Sequence, residues 1–475
     1  MPIDNLETLG TVLFRVALVA AAAVAALHAL FTKRDPKSAL AWVAICLLIP
    51  FFGPLVYLIF GINRVAEKAQ ETYLARSPED TSESIQEPAG TKLRPLSLVG
   101  ESVTGFGLRS CDNIKLLENG ENLYPAMIAD IEAAADRIYL CTYIFQNDTT
   151  GDSFVNALCR AQDRGVDVRI IIDGLGGMAY PPVIGKKLRK RGLNYKQFNP
   201  ITLLPPSLHI NMRNHRKIMV VDGKAGYTGG QNIGDRHLVK KSHNPKCARD
   251  LHFRLTGKIV DEFERAFLKD WNHCVGTTEK AIYSPSNTNR TESDVWTRLI
   301  LDGPNENLDK LNELLVGVFS LARKRIWIMT PYFLPGFDLL GALVAARLRG
   351  VDVKILLPER TNIHMAHWAA QHNLKHILAR ELQVYSQPAP FIHTKAILID
   401  EEYVLVGSAN LDPRSLRLNF ELGVEVFNKS FAVEISRYFQ SMLEAANLLT
   451  EQQLMARPRW KRNRDAVAWL FSPYL

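Results

Sequence analysis

A chain of 475 residues with 57 Lys plus Arg against 49 Asp plus Glu carries a formal charge of +8. That length accommodates two or three compact units, and the positive balance points to an anionic partner, an acidic membrane or a nucleic acid. Six scattered cysteines, no two at the spacing of a metal knuckle or redox pair, argue against a disulfide framework and a zinc site.

Taken in chain order, the first element is Thr8 to Phe31, rich in Ala, Val and Leu, with Arg15 near one end and His28 near the other. Both side chains can snorkel to an interface. Ala39 to Phe60 (ALAWVAICLLIPFFGPLVYLIF) has no charge over 22 residues, enough to cross roughly 30 Å of hydrocarbon. A cleaved signal peptide is the competing reading of the first segment, but no Lys or Arg precedes Arg15 and a second full-length span follows closely. With TKRDPKS as a tight connector, residues 1–62 are expected to form a transmembrane helical hairpin. Lys33, Arg34 and Lys37 balance Arg64, Lys68 and Arg76, so the positive-inside count assigns no side.

Residues 63–105 are polar and rich in Glu, Ser and Thr near their start, and read as a linker. Beyond it the chain repeats itself. ADRIYLCTYIF, Ala135 to Phe145, returns as RKRIWIMTPYF, Arg323 to Phe333. Asp152 to Gly174 parallels Asp338 to Glu359, each a helix, a closing Gly and a buried strand. The pattern predicts duplicated α/β domains at 106–285 and 286–475.

The repeat is sharpest in HRKIMVVDGKAGYTGGQN, His215 to Asn232, and HTKAILIDEEYVLVGSAN, His393 to Asn410. In both, Lys follows His by two residues and Asp follows Lys by five, so His215, Lys217 and Asp222 match His393, Lys395 and Asp400. On an extended chain residues two apart share a face, which sets each His beside a cation. That pair suits an anionic substrate whose reaction needs a nucleophile or a proton relay. Gly229-Gly230 and Gly407-Ser408 let backbone approach a ligand, and Asn232 and Asn410 add amide donors. One copy is easily a chance surface strand; two copies with identical offsets, in pseudo-symmetric halves, can place two histidines on opposite sides of one phosphorus, one to attack and one to protonate the leaving oxygen.

These residues resemble the HKD motifs of the phospholipase D superfamily, over residues from about 106 to the C-terminus. Within it, the hairpin with AWVAICLLIPFFGPLVYLIFG and the terminal WLFSPYL resemble bacterial cardiolipin synthases with two N-terminal spans. The resemblance implies an α/β fold of tandem phospholipase D-like domains forming one pseudo-two-fold active site. It implies phosphatidyl transfer without metal or cofactor: one phosphatidylglycerol gives its phosphatidyl group to a histidine, releasing glycerol, and a second takes it to give cardiolipin. It implies His215 as nucleophile and His393 as general acid and then base, with Lys217, Lys395, Asn232 and Asn410 on the phosphate oxygens. Gly230 and Ser408 lie in the same motifs. Asp222 and Asp400 fall at the motif aspartates, with a structural or orienting part. Glu421, in LNFELG, matches the glutamate that bonds a histidine's other nitrogen, and Asp250, in ARDLHF, occupies the analogous place in the first half.

Transfer to water, phosphatidylethanolamine or another alcohol would use the same motifs. The anchor favours a lipid substrate at a bacterial inner membrane over nucleic acid, and the lack of a disulfide pattern favours a cytoplasmic face. KKLRKRG, Lys186 to Gly192, suits anionic headgroups or a solvated helix face. PRWKRNRDAVAWLFSPYL, Pro458 to Leu475, suits a membrane interface. ITLLPPSL, Ile201 to Leu208, suits lipid contact or core packing, and Asp412, Arg414 and Ser415 border the expected pocket.

Overall fold

The computed structural model describes residues 3–33, 36–61, 93–201, 212–240, 246–278, 294–304 and 307–472. The chain forms two compact units, residues 1–74 and 75–475.

In the first unit a helix runs over Ile3–Thr32, and its stretch Gly10–Thr32 is the one helix among the described residues long and apolar enough to cross a membrane. The uninterrupted span expected over Ala39 to Phe60 is not formed. A helix at Pro36–Leu48 stops, a short one follows at Phe52–Val56, and a π-helical turn closes the segment at Tyr57–Gly61. Pro50 and Pro54 explain the break, since each lacks an N–H and clashes with the preceding turn. A Cβ on Gly53 would lie 2.3 Å from the Ile45 carbonyl oxygen, so the break also requires glycine there. Ala26, Ala29, Cys46 and Tyr57 pack together, and His28 Nδ1 lies 2.8 Å from the Tyr57 hydroxyl.

Most of the expected linker, residues 63–92, lies outside the described residues. Its last part is not a linker: Arg94–Thr104 is a helix capped by left-handed Gly105. Arg298 Nη1 donates to the Ser97 carbonyl at 3.0 Å, so this helix is built into the second unit.

That unit contains two mixed sheets with the same seven-strand order. The first runs Asn113–Glu118, Leu251–Thr256, Ala225–Gly229, Ile218–Val221, Arg137–Thr142, Asp167–Asp173 and Asn194–Phe198. The second runs Trp296–Asp302, Glu421–Phe427, Tyr403–Gly407, Ala396–Ile399, Arg325–Met329, Asp352–Pro358 and Gln383–Gln387, with two-residue strands added at each edge. The apolar runs IMVV and AILI are fully buried central strands, as near-continuous hydrophobic sequence requires. The helices before the parallel strands end in glycines at positive φ, Gly165 and Gly350, where a side chain would be strained.

Candidate active site

Both motif histidines sit in the extended segment just before a central strand, and each is pinned there by the other repeat. His215 donates its backbone N–H to the Phe420 carbonyl at 2.9 Å, and His393 donates to the Arg249 carbonyl at 2.8 Å. Phe420 and Arg249 immediately precede Glu421 and Asp250. The side chains follow the backbone: His215 Nδ1 lies 3.0 Å from Glu421, and His393 Nδ1 lies 2.7 Å from Asp250. Both carboxylates are fully buried while each imidazole keeps 12 % of its surface exposed. Nδ1 thus faces a carboxylate and Nε2 lies on the opposite side of each ring.

Lys217 Nζ donates to the His215 carbonyl and Lys395 Nζ to the His393 carbonyl, both at 2.5 Å. Lys395 Nζ also lies 2.9 and 3.0 Å from the two ring nitrogens of His393. Burial lowers the lysine pKa values, to about 7 for Lys217 and about 8 for Lys395. Burial likewise holds both imidazoles below their usual value. At His393 the charges of Lys395 and Arg236 add to the effect, whereas at His215 Glu421 opposes it. The carboxylates differ. Burial pushes Asp250 up to about 7. At Glu421 burial is outweighed by His215, Lys217 and the Ser408 hydroxyl, which hold it below the usual carboxylate range.

The glycine or serine of each motif is fitted to its carboxylate. A Cβ on Gly230 would lie 2.4 Å from Asp250 Oδ1. The equivalent Ser408 instead donates its hydroxyl to Glu421 and accepts the Leu422 N–H at 2.9 Å.

Asn232 and Asn410 lie beside the site but are engaged with protein. Asn232 Oδ1 accepts the Ile144 N–H at 3.1 Å, and Asn410 Nδ2 donates to Ser415 Oγ at 3.2 Å. The amide carbonyl of Asn232 therefore holds backbone. Asp412 caps the turn before Ser415 through a 2.7 Å bond to its N–H, and Arg414 acts electrostatically on Asp412 and Tyr143.

Asp222 and Asp400, grouped with the catalytic motif residues, are not in the site. They stand at the far ends of the strands Ile218–Val221 and Ala396–Ile399, in left-handed conformations at φ 52°. Asp222 accepts the N–H groups of Ala135, Asp136 and Arg137; Asp400 accepts those of Arg323, Lys324 and Arg325. Each ties the motif strand to the start of its antiparallel neighbour.

Several neighbours are not evident from the motifs. Tyr143 meets His215 edge-on with ring centroids 5.1 Å apart, and Lys217 Nζ lies 5.7 Å from the Tyr143 centroid. Arg216, 1 % exposed, pairs with Asp270 at 2.6 Å and donates from Nε to the Glu421 carbonyl at 3.1 Å, bracing that carboxylate from behind. Asp270 also accepts from Asn214 at 2.8 Å. The repetition of the segment containing Tyr143 was a usable signal; Arg216 had none beyond adjacency to His215. The helix Ile184–Lys190 carries Lys186, Arg189 and Lys190 exposed, and ITLLPPSL falls almost wholly outside the described residues.

Comparison with known proteins bears on the family and the fold. The family model described as cardiolipin synthase, PLD-like domain matches residues 127–271 and 315–443, and one described as phospholipase D-nuclease N-terminal matches residues 20–61. The chain is 31 % identical to the major cardiolipin synthase ClsA of Bacillus subtilis, over 93 % of this chain and 95 % of that one. It is 30 % identical to the cardiolipin synthase of Listeria innocua, over 95 % and 96 %. Among solved structures, phosphatidylserine synthase from Haemophilus influenzae superposes with a TM-score of 0.62 at 16 % identity, covering 80 % of this chain and all of that one, a likeness of fold.

Proposed function

This chain belongs to the cardiolipin synthase family of phospholipase D-like proteins, and we propose that it joins two phosphatidylglycerol molecules into cardiolipin and glycerol. The observation that carries this reading is the pair of crossed dyads, His215 with Glu421 and His393 with Asp250.

His215 Nε2 attacks phosphorus, and the bond from phosphorus to the glycerol oxygen breaks as His393 delivers a proton to that oxygen. The hydroxyl of the second lipid then gives its proton to His393 and bonds to phosphorus as the phosphorus–nitrogen bond breaks. Lys217 and Lys395 hold the non-bridging oxygens against the charge of the five-coordinate state. The carboxylates support His215 as the nucleophile. A phosphohistidine carries positive charge on its ring, and Glu421, held ionised, opposes that charge better than Asp250, whose pKa lies near 7. His393, paired with Asp250 on the opposite side of the phosphorus, is then the relay.

The lipid substrate is supported by surface chemistry. Val12, Leu13, Phe14, Val16 and Val19 are all more than half exposed on the N-terminal helix. We read Ala39 to Phe60 as a second, kinked pass, giving a multi-pass anchor in the bacterial inner membrane with the sheets on the cytoplasmic side. Helix Arg459–Trp469 exposes Trp460 and Val467 beside Arg459, Lys461 and Arg462, an interfacial composition that supports membrane contact.

The test is to follow labelled phosphatidylglycerol with purified protein in detergent micelles. Cardiolipin and glycerol in equal amounts are expected, and phosphatidic acid as the sole lipid product overturns the proposal. Adding phosphatidylethanolamine distinguishes the acceptors, and labelling of an engineered cysteine at exposed Lys186 in intact and permeabilised cells reports the face.

A further inference from the structure

A site that joins two phosphatidylglycerols must hold two phosphodiesters at once. One lies between the histidines on the lysines. The other belongs to the acceptor, one glycerol linker beyond the attacking hydroxyl, and it needs a cation of its own. In an in-line displacement the acceptor enters where the leaving group departed, opposite the nucleophile and beside the proton relay. With His215 as nucleophile, that is the side of His393.

Arg236 stands on this side. It lies in the turn Asp235–His237, and the ring of His237 is 6.3 Å from that of His393. Its Nη1 donates to the hydroxyl of Tyr180, a residue 41 % exposed, at 3.1 Å. Its Nε is buried without a hydrogen-bond partner, and among the described residues no carboxylate pairs with its guanidinium. Its charge reaches His393, Lys395 and Asp250.

The repeat shows what is unusual about this position. Counting from Asn232 and Asn410, Arg236 corresponds to Arg414, and two residues earlier Gly234 corresponds to Asp412. Asp412 supplies negative charge beside Arg414. Gly234 supplies none, and the Gln146 side chain occupies the space where its Cβ would lie, with Oε1 2.0 Å away. Arg414 has Asp412 two residues away, whereas among the described residues no carboxylate ion-pairs with Arg236, whose charge acts instead on Asp250 in the site. A guanidinium fork presents two parallel donors to a phosphodiester.

We propose that Arg236, with the hydroxyl of Tyr180, forms a second anion subsite that binds the phosphodiester of the acceptor lipid. This rests on the phosphatidyl-transfer reading above. The subsite favours an anionic lipid over water and neutral alcohols, neither of which has a charge to place there.

The test is a competition on the full-length protein in mixed micelles of phosphatidylglycerol with ethanol present, measuring cardiolipin against phosphatidylethanol. Both products come from the same phosphohistidine, so a partly unfolded sample leaves their ratio unchanged. Arg236→Gln is expected to lower the cardiolipin to phosphatidylethanol ratio by about tenfold, the loss of one charge-assisted hydrogen bond, and Arg236→Lys by less. A ratio within twofold of wild type overturns the proposal, and so does loss of both products in both variants, which would give Arg236 a general role. Wild-type protein that makes phosphatidic acid alone would instead remove the phosphatidyl-transfer reading itself.

Discussion

Glu421, in the second repeat, lies 3.0 Å from Nδ1 of His215 in the first. The reciprocal pair, Asp250 and His393, is set by the same backbone device, because each histidine donates its N–H to the residue before the other repeat's carboxylate. Each repeat therefore supplies one imidazole and the carboxylate for its counterpart, and neither holds a complete dyad. Two arrangements that exchange partners across a pseudo-two-fold give two chemically similar histidines whose environments then diverge through the difference between Glu and Asp.

That divergence assigns roles that kinetics can check. With a phosphodiester bearing a p-nitrophenol leaving group, departure needs no proton, so His393→Ala should still release a burst of nitrophenol and accumulate protein-bound phosphate. His215→Ala should show no burst. Glu421→Gln and Asp250→Asn should each lower turnover of phosphatidylglycerol by about 10²- to 10⁴-fold. A burst in His215→Ala and none in His393→Ala would reverse the assignment.

The buried lysines predict the alkaline limb of the pH profile. An amine with a lowered pKa loses its charge as pH rises through that value, here about 7 for Lys217 and about 8 for Lys395 in the free protein. A bound phosphodiester stabilises the ammonium and raises both values. Plotted against pH, kcat/KM should therefore fall through this range, while kcat holds to higher pH. Coincident alkaline limbs would mean that substrate does not touch these lysines.

Gly230 and Ser408 should respond in opposite ways to exchange. Gly230→Ala places a Cβ 2.4 Å from an Asp250 oxygen, so the carboxylate must leave His393, and activity should fall at least about a hundredfold without loss of fold. Ser408→Ala removes the hydroxyl's bonds to Glu421 and to the Leu422 N–H but leaves Glu421 with His215 and Lys217, and should cost about tenfold or less. Circular dichroism beside the activity assay separates the local effect from unfolding.

Asp222 should matter for stability rather than chemistry. Asp222→Ala leaves three N–H groups without their acceptor and puts alanine at φ 52°, which together should destabilise by about 2–4 kcal/mol. Asp222→Asn, which tolerates the left-handed region and keeps one acceptor oxygen, should lose less. Although burial opposes it, the three donors hold this carboxylate below its usual pKa, so its contribution is complete above the ordinary Asp range and is lost as pH falls through the lowered value. The gap between wild type and Asp222→Ala in a thermal melt should narrow in strong acid.

The sequence by itself determined the repeat, the buried strands IMVV and AILI, the glycine-ended helices and the His, Lys and Asn positions, because each depends on local periodicity or on offsets within one segment. It misread Ala39 to Phe60 as a single span, since hydropathy counts apolar residues and ignores what Pro50 and Pro54 do to a helix. It allowed Asp222 a structural part but not the three N–H groups it accepts at the far end of its strand. Tertiary structure alone decided which carboxylate serves which histidine, that Gly230 makes room for Asp250 while Ser408 bonds Glu421, and that Arg216 braces Glu421 from behind. Those relations join residues up to 206 positions apart, and no local pattern records them. They exist because two sheets of equal strand order pack in one unit, so that the segment leading into each motif strand meets the other repeat's carboxylate.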